Sequence, residues 1–213
     1  MTNYSSYPRF FVSVDCVVFG FEDNKLKVLI HKRPYDPGKG ELSLIGGFVE
    51  KNENLETAAL RILTDFTGLD DVHLSQIAAF GEVERDPGER VISIVYSVLL
   101  DLSRFNENIA TEHNAEWVDI DQLPKLCFDH NMMVDKARLM LGEAIKNSPV
   151  AGHLLPSHFT ISTLQTLYEA ILGQEIDKRN FRRSLSDKPY IHATDLIDHK
   201  SSRRGALLYK FDL

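Results

Sequence analysis

A short basic segment near the carboxyl end of the chain carries side chains suited to bind phosphate. Residues 178–183 read KRNFRR, and at 100° per residue Phe181 and Leu185 lie about 40° apart, which defines an apolar side. The arginines project to the opposite side, where guanidinium groups can contact phosphates or pair with guanine. The alternative is an ordinary solvated helix face. The residues of this segment predicted to contact DNA are Lys178, Arg179, Asn180, Arg182, Arg183 and Ser186.

The elements around this segment must place it on the second helix of a helix–turn–helix. Apolar residues at i, i+3, i+4, i+7 and i+8 predict a first helix, which starts at the capping box STLQ of residues 162–165 and ends at Gly173. Asp177 can cap a second helix over residues 178–186. Two helices joined by a short turn are typical of DNA-reading units.

A basic hairpin follows these two helices. Residues 190–193 and 205–211 are strand-like and flank a polar stretch, a pattern typical of a winged helix–turn–helix. The polar stretch adds Lys200, Arg203 and Arg204 to the predicted DNA contacts.

The charge of the chain divides between its two parts. Residues 151–213 contain 9 Lys and Arg against 7 Asp and Glu, a net charge of +2. Residues 1–150 contain 15 against 24, a net charge of −9. The overall net charge of −7 therefore does not exclude a nucleic-acid partner.

The sequence of the larger, acidic part predicts a domain that contains both strands and helices. Runs of β-branched and aromatic residues predict strands at 10–21, 25–32, 75–83, 91–100 and 116–120. Apolar stripes at helical spacing predict helices at 55–66 and 132–145. Residues 147–158 contain two prolines and a glycine and break both periods. We therefore predict an α+β protein with two domains, residues 1–150 and 151–213.

Residues 47–69 carry a motif with fixed spacing over 23 positions. They read GFVEKNENLETAALRILTDFTGL and resemble the Nudix box, G-x5-E-x7-R-E-U-x-E-E-x-G-U, in which U is a bulky aliphatic residue. The matching residues are Gly47, Glu53, Arg61, Leu63, Gly68 and Leu69. The resemblance implies a Nudix-like α/β/α sandwich.

The departures from the Nudix box affect its acidic positions. In Nudix enzymes, carboxylates of this helix hold Mg²⁺ on the pyrophosphate of the substrate. Here those positions are Ile62, Asp65 and Phe66, so only Asp65 could ligate a metal. We therefore expect that the protein is not an enzyme, has no catalytic residue and binds neither a metal ion nor a cofactor. The alternative is a Mg²⁺-dependent Nudix pyrophosphatase.

A degenerate Nudix domain followed by a winged helix resembles the Nudix-related transcriptional regulators of the AraR and NrtR types. This resemblance implies a former enzyme domain that senses a small molecule. It also implies a homodimer that binds a palindromic double-stranded DNA operator. The protein would be a repressor that leaves the operator when its effector binds. A winged helix used for protein contacts is the alternative from another class.

Two effectors follow from the two types. Residues 85–91, 177–182 and 203–211 resemble the AraR type, which responds to L-arabinose and regulates carbohydrate metabolism. The absence of acidic residues at positions 62 and 66 of the Nudix box also favours L-arabinose. So does the −9 charge of the sensor, which would repel a dianionic nucleotide. The alternative is an NrtR-type regulator of NAD metabolism that responds to ADP-ribose.

The candidate ligand-binding residues combine donors and acceptors that could bind vicinal hydroxyls. Asp15 lies in an apolar strand, where it is either salt-bridged in the core or a ligand acceptor. His130 reads as a surface or capping histidine. The candidates are Asp15, Lys32, Glu41, Arg85, Asp86 and Arg90.

The remaining features indicate a compartment. Cys16 and Cys127 form no C-x-x-C pair, which favours buried thiols in a reducing environment. Residues 1–8 lack the pattern of a signal peptide, and no apolar run is long enough for a membrane helix. We therefore predict a cytoplasmic protein with no membrane partner.

Overall fold

The structure, a computed structural model, describes residues 4–69, 71–104, 112–199 and 205–212. Its larger part is built on a mixed seven-stranded sheet. The strands are β1 (Phe11–Glu22), β2 (Lys25–Lys32), β3 (Leu42–Ser43), β4 (Ile45–Phe48), β5 (His73–Phe80), β6 (Val91–Leu100) and β7 (Ala115–Asp119). In the sheet β3, β2, β1, β6 and β5 lie in that order, β4 pairs with β1, and β7 pairs with β2. β1 runs parallel to β6 and antiparallel to β2 and β4.

Helices cover both faces of this sheet, which confirms the predicted Nudix-like sandwich. Because successive residues of a strand face opposite sides, Cys16 and Val18 of β1 pack toward α1 (Leu55–Thr67) and Val17 packs in the core shared with α2 (His130–Ala144). The side chain of Asn54 caps α1, and a left-handed Gly68 ends it.

The carboxyl-terminal part is a winged helix–turn–helix. A three-stranded sheet of β8 (Phe159–Thr160), β10 (Ala206–Phe211) and β9 (Ile191–Asp198) packs with two helices, α3 (Ile161–Leu172) and α4 (Lys178–Leu185). Asp177 caps α4 by accepting a hydrogen bond from the Asn180 N–H, as predicted.

The capping box predicted at the start of α3 is wrong. The Thr160 side chain caps α3 by accepting from the Thr163 N–H at 3.0 Å, two residues before the predicted serine. Gln165 is buried and donates instead to the Ile176 carbonyl at 2.8 Å, which holds the turn between α3 and α4. The strands predicted at 25–32 and 91–100 have the observed boundaries. Other predicted boundaries differ by one to five residues, for example those of β5, which begins at His73 and ends at Phe80.

One apolar core connects the two parts. It extends from Val17 and Phe19 of the sheet to Leu164 and Leu167 of α3. The predicted boundary after residue 150 falls inside a 3-10 helix, Pro149–Leu154, and stays a prediction. Among the residues described, no helix is long and apolar enough to cross a lipid bilayer, and the cytoplasmic location also stays a prediction.

Candidate effector cleft and nucleic-acid interface

Helix α4 presents a basic face to solvent. Phe181 and Leu185 are buried on its inner side, with the Phe181 ring edge-on to Tyr168 of α3. The six polar residues predicted from helix geometry are all exposed. Within the described part of the chain, no carboxylate forms an ion pair with Arg179, Arg182 or Arg183. These guanidinium groups therefore present free charge to a polyanion.

A groove of about 1030 Å³ lies between α4, the start of α3 and the wing strands. Arg182 and Ser186 line it from α4, Thr163 lines it from the start of α3, and Ala193 and Leu207 line it from the wing strands. The other predicted wing contacts, Lys200, Arg203 and Arg204, lie outside the described residues. The shape and the charge suit the sugar–phosphate backbone of a duplex.

A second, narrow cleft of about 50 Å³ lies at one end of the larger sheet. Three of the predicted ligand-binding residues, Asp15, Arg85 and Asp86, line it. The other lining residues come from distant parts of the chain and were not predicted, among them Arg33, Tyr35, Phe48, Phe128 and His130.

Arg85 is the central cation of this cleft. Its side chain is 3% exposed and donates two hydrogen bonds to the carboxylate of Asp129, at 2.9 and 2.7 Å. Asp15 Oδ2 lies 3.9 Å from the same guanidinium. Burial would lower the pKa of Arg85, but its hydrogen bonds to Asp129 and the charge of Asp15 raise it above the ordinary value. Arg85 is therefore a fixed positive charge in a water-poor site.

Asp15 is held rigidly, and it is both a core residue and a cleft residue. Its carboxylate accepts hydrogen bonds from Ser93 and, at 3.5 Å, from Ser13. A side chain at position 46 would collide with Asp15 Oδ1, which explains why a glycine of β4 passes here. Asp15 thus lies beside the buried cation Arg85 and also lines the cleft, and its role as a ligand acceptor stays a prediction.

His130 is buried, so the prediction of a surface histidine is wrong. Burial lowers its pKa, and the neutral ring accepts a hydrogen bond at Nδ1 from the Leu44 N–H at 3.2 Å. Its proton therefore sits on Nε2, which faces Asp15 Oδ1 at 3.8 Å. His130 is the first residue of α2, so it ties the start of that helix to the cleft.

Arg33 is the second cation of the cleft. Its guanidinium lies between two aromatic rings, 5.1 Å from the centre of Tyr35 and 4.9 Å from that of Phe128. Its Nε donates to the Pro37 carbonyl at 2.9 Å. In the described residues no carboxylate pairs with it, so its charge is available to an anion.

Three other predicted ligand residues are not in the cleft. Lys32 and Glu41 are exposed outside it. Lys32 faces away from the cleft because neighbouring residues of an extended chain face opposite sides and Arg33 occupies the cleft side. Arg90 instead donates to the Gly81 and Glu82 carbonyls, which closes the loop of residues 81–90, and it lies over the Phe10 ring.

The residues of the Nudix box do not fit a magnesium ion. Ile62 is 4% exposed and packs in the core beside Gly47, and the Phe66 ring lies against those of His31 and His113. Both oxygens of Glu53 accept hydrogen bonds from Arg61. Within the described residues, no cluster of three metal-binding side chains occurs. Apolar side chains thus occupy two of the three acidic positions of the motif, which leaves Asp65 as the one carboxylate among them.

Comparison with known families and proteins agrees with this two-part architecture. The Nudix domain family matches residues 9–138, and the NrtR DNA-binding winged helix domain matches residues 151–211. The ADPR responsive transcriptional repressor NtrR of Acinetobacter baylyi is 32% identical over 213 residues, covering 98% of this chain and 85% of that protein. An ADP-ribose pyrophosphatase of Methanocaldococcus jannaschii is 36% identical over 135 residues, covering 63% of this chain and 76% of that one.

Solved structures give the same result. Shewanella oneidensis NrtR in complex with a 27mer DNA superposes with a TM-score of 0.85 at 30% identity, covering 94% of this chain and 93% of that chain. The Nudix domain of the same protein in complex with ADP ribose superposes with a TM-score of 0.53 at 25% identity, covering 66% and 94%.

These findings do not support the AraR type, L-arabinose or carbohydrate metabolism. The two arguments for the sugar fail for physical reasons. The −9 charge is an average over the sensor, whereas a ligand meets only the charged groups that line the cleft, and these include Arg33 and Arg85. The absence of carboxylates at positions 62 and 66 concerns metal binding, and it leaves Arg33 and Arg85 in the cleft. The chain belongs to the NrtR family of transcriptional regulators, in which a Nudix domain precedes a winged helix DNA-binding domain.

Proposed function

We propose that this protein is a transcriptional repressor whose Nudix domain binds ADP-ribose, or a close nucleoside diphosphate, and releases the winged helix from its operator. The observation that carries the proposal is the cleft with Arg33 and Arg85, two guanidinium groups in a site without the metal-binding carboxylates of an enzyme. Guanidinium groups bind the oxygens of a diphosphate in a fixed geometry.

The aromatic side chains support a nucleotide over a pentose. Tyr35, Phe48 and Phe128 line the same cleft as the two arginines, and aromatic faces stack on bases. The A. baylyi relative, whose name refers to ADPR, resembles this chain along nearly its whole length. A free sugar would leave the charge of Arg33 without a partner.

We also propose that the Nudix domain does not hydrolyse its ligand. The M. jannaschii relative is a pyrophosphatase, so hydrolysis must be tested directly. Two of the three acidic positions hold Ile62 and Phe66, which cannot ligate the metal ion that activates the reacting phosphorus in such enzymes. We expect no ADP-ribose turnover with Mg²⁺ above the rate without protein.

The DNA contacts proposed for this chain are the exposed residues of α4 together with Lys200, Arg203 and Arg204. The unpaired guanidinium groups of α4 support this assignment. A homodimer would place two α4 helices about 34 Å apart, which matches one turn of a palindromic duplex. Light scattering tests the dimer by the mass in solution.

One titration tests the effector and the DNA function together. A duplex selected from random-sequence DNA by the full-length protein is labelled, and its binding is followed by fluorescence anisotropy. We expect ADP-ribose to dissociate the complex, with L-arabinose as the control without effect. The proposal is overturned if ADP-ribose neither shifts the melting temperature of the protein nor releases the duplex.

A further inference from the structure

Asp129 occupies the N-cap position of α2 without capping the helix. A carboxylate at this position normally accepts a hydrogen bond from a backbone N–H of the first turn. Here the Asp129 side chain makes no such bond, and its backbone has ψ 16° instead of the extended value of a capping residue. Both carboxylate oxygens bind Arg85 instead. The Arg85–Asp129 pair is called the clasp below.

The backbone beside the clasp is held in a strained conformation. Phe128 has φ 55°, in the left-handed region that an aromatic residue rarely adopts. Its ring packs on Arg33 and lies edge-on to His130 at 5.5 Å. Both contacts lie in the cleft. A ligand that binds the Arg33 guanidinium would therefore remove one of the contacts that hold Phe128 in this conformation.

The charges around the cleft require one carboxylate to move when an anion binds. Asp15, Asp86 and Asp129 surround Arg33 and Arg85, while burial keeps His130 neutral. An added diphosphate would face a net negative site. Asp15 is fixed by two serine hydroxyls and the close approach of β4, whereas Asp129 lies at the junction of a loop and a helix.

Helix α2 connects the clasp to the winged helix. Arg138, two turns further along α2, donates to the Ala170 and Ile171 carbonyls at the end of α3 at 2.7 and 3.0 Å. The Tyr168 hydroxyl of α3 donates to the Ile145 carbonyl at 2.8 Å. A displacement of α2 is thus transmitted to the first helix of the DNA-binding unit.

We propose that the clasp is the switch that couples the effector to DNA release. The phosphate oxygens of the effector accept the hydrogen bonds that Arg85 otherwise donates to Asp129. The freed Asp129 carboxylate then turns to cap α2, and the repositioned helix moves α3. The two positions of Asp129 are the two states, and the effector binds only the open one. This inference rests on the proposed function in one respect, that the effector carries a phosphate in this cleft.

Two substitutions at one position separate the two parts of the switch. Asp129→Asn and Asp129→Ala both remove the ion pair, but only asparagine can cap a helix. We expect both variants to bind ADP-ribose at least threefold more tightly by calorimetry. Without effector, Asp129→Asn should bind the operator at least tenfold more weakly than wild type, whereas Asp129→Ala should stay within threefold. Asp135→Asn is the matched control, since it makes the same charge change at an exposed site of α2 and should match wild type.

Hydrogen exchange on the unmodified protein tests the same step without a variant. The amides of Asn131 and Met132, the second and third residues of α2, should exchange more slowly once ADP-ribose is bound, because the carboxylate then accepts from one of them. Unchanged exchange there, or equal operator affinity of the two Asp129 variants, overturns the clasp. A wild type that ignores ADP-ribose overturns the proposed effector, and the effector-free comparison of the Asp129 variants still decides the clasp.

Discussion

Arg138 joins the two parts of the protein, and its removal should weaken that joint measurably. Its guanidinium donates to two of the last carbonyls of α3 and, at 2.9 Å, to Asp121. Methionine preserves most of the apolar stem but has no donor, so Arg138→Met isolates the loss of these bonds.

The size of the effect follows from the three bonds. A charged donor on a neutral carbonyl contributes about 1.5–3 kcal/mol, and the side chain of Arg138 is 24% exposed, which favours the lower end for each of the two bonds to α3. Asp121 is 67% exposed, so its ion pair contributes less than about 1 kcal/mol. We expect Arg138→Met to lower the free energy of unfolding by about 3 kcal/mol.

Urea denaturation of the full chain, followed by far-UV circular dichroism, measures this difference. Asp121→Asn is the matched control and should cost less than about 0.5 kcal/mol, since it removes only the exposed partner. If Arg138→Met costs less than about 1 kcal/mol, or no more than Asp121→Asn, then the carbonyl bonds do not hold α3 and the reasoning is refuted.

Three further predictions concern the DNA face, the cleft and pH. Arg182→Ala should weaken binding to every duplex and reduce the salt slope by about one, as measured by anisotropy at several salt concentrations; unchanged affinity at physiological salt would contradict the assignment. Gly46→Ala should destabilise the fold by about 1–3 kcal/mol, because its Cβ would meet Asp15 Oδ1 and come within 2.9 Å of the Val14 carbonyl oxygen. Gly81→Ala, with open space at its Cβ, is the control and should be neutral. Burial and the charge of Arg33 lower the pKa of His31 to about 4, so the unfolded chain takes up its proton first and stability falls as the pH drops from about 6.5 to about 4. His31→Gln should make the fall in thermal stability over that range smaller, with buried His130 causing part of what remains, and an unaltered pH profile would exclude His31 as a cause.

Local rules predicted the DNA-binding part well. The exposed face of α4 follows from helix geometry alone, since the apolar Phe181 and Leu185 fix which side is inward. The hydrogen bond by which Asp177 caps α4 likewise joins residues only three positions apart, so it is predictable from the local sequence. The cap of α3 was predicted wrongly because Thr160 and Ser162 are both residue types that can cap a helix, and the sequence does not say which one adopts the capping conformation.

The cleft was only partly predictable because it is assembled from distant segments. Arg85 and Asp129 are 44 positions apart, and no local pattern links them. Arg33 could have been found from the period-two alternation of β2, which directs it away from the side that Lys32 faces. Average charge misled the choice of effector, because binding depends on the few side chains that face the ligand.

The shared apolar core has a consequence for how the protein unfolds. Leu164 and Leu167 of α3 pack in the same cluster as Val17 and Phe19 of the sheet, so separating the two parts would expose apolar surface on both. Calorimetry should therefore give a single cooperative transition, with neither part melting alone. In the proposed function, such cooperativity would carry a change at the cleft to the DNA-binding surface, because the two parts share one core.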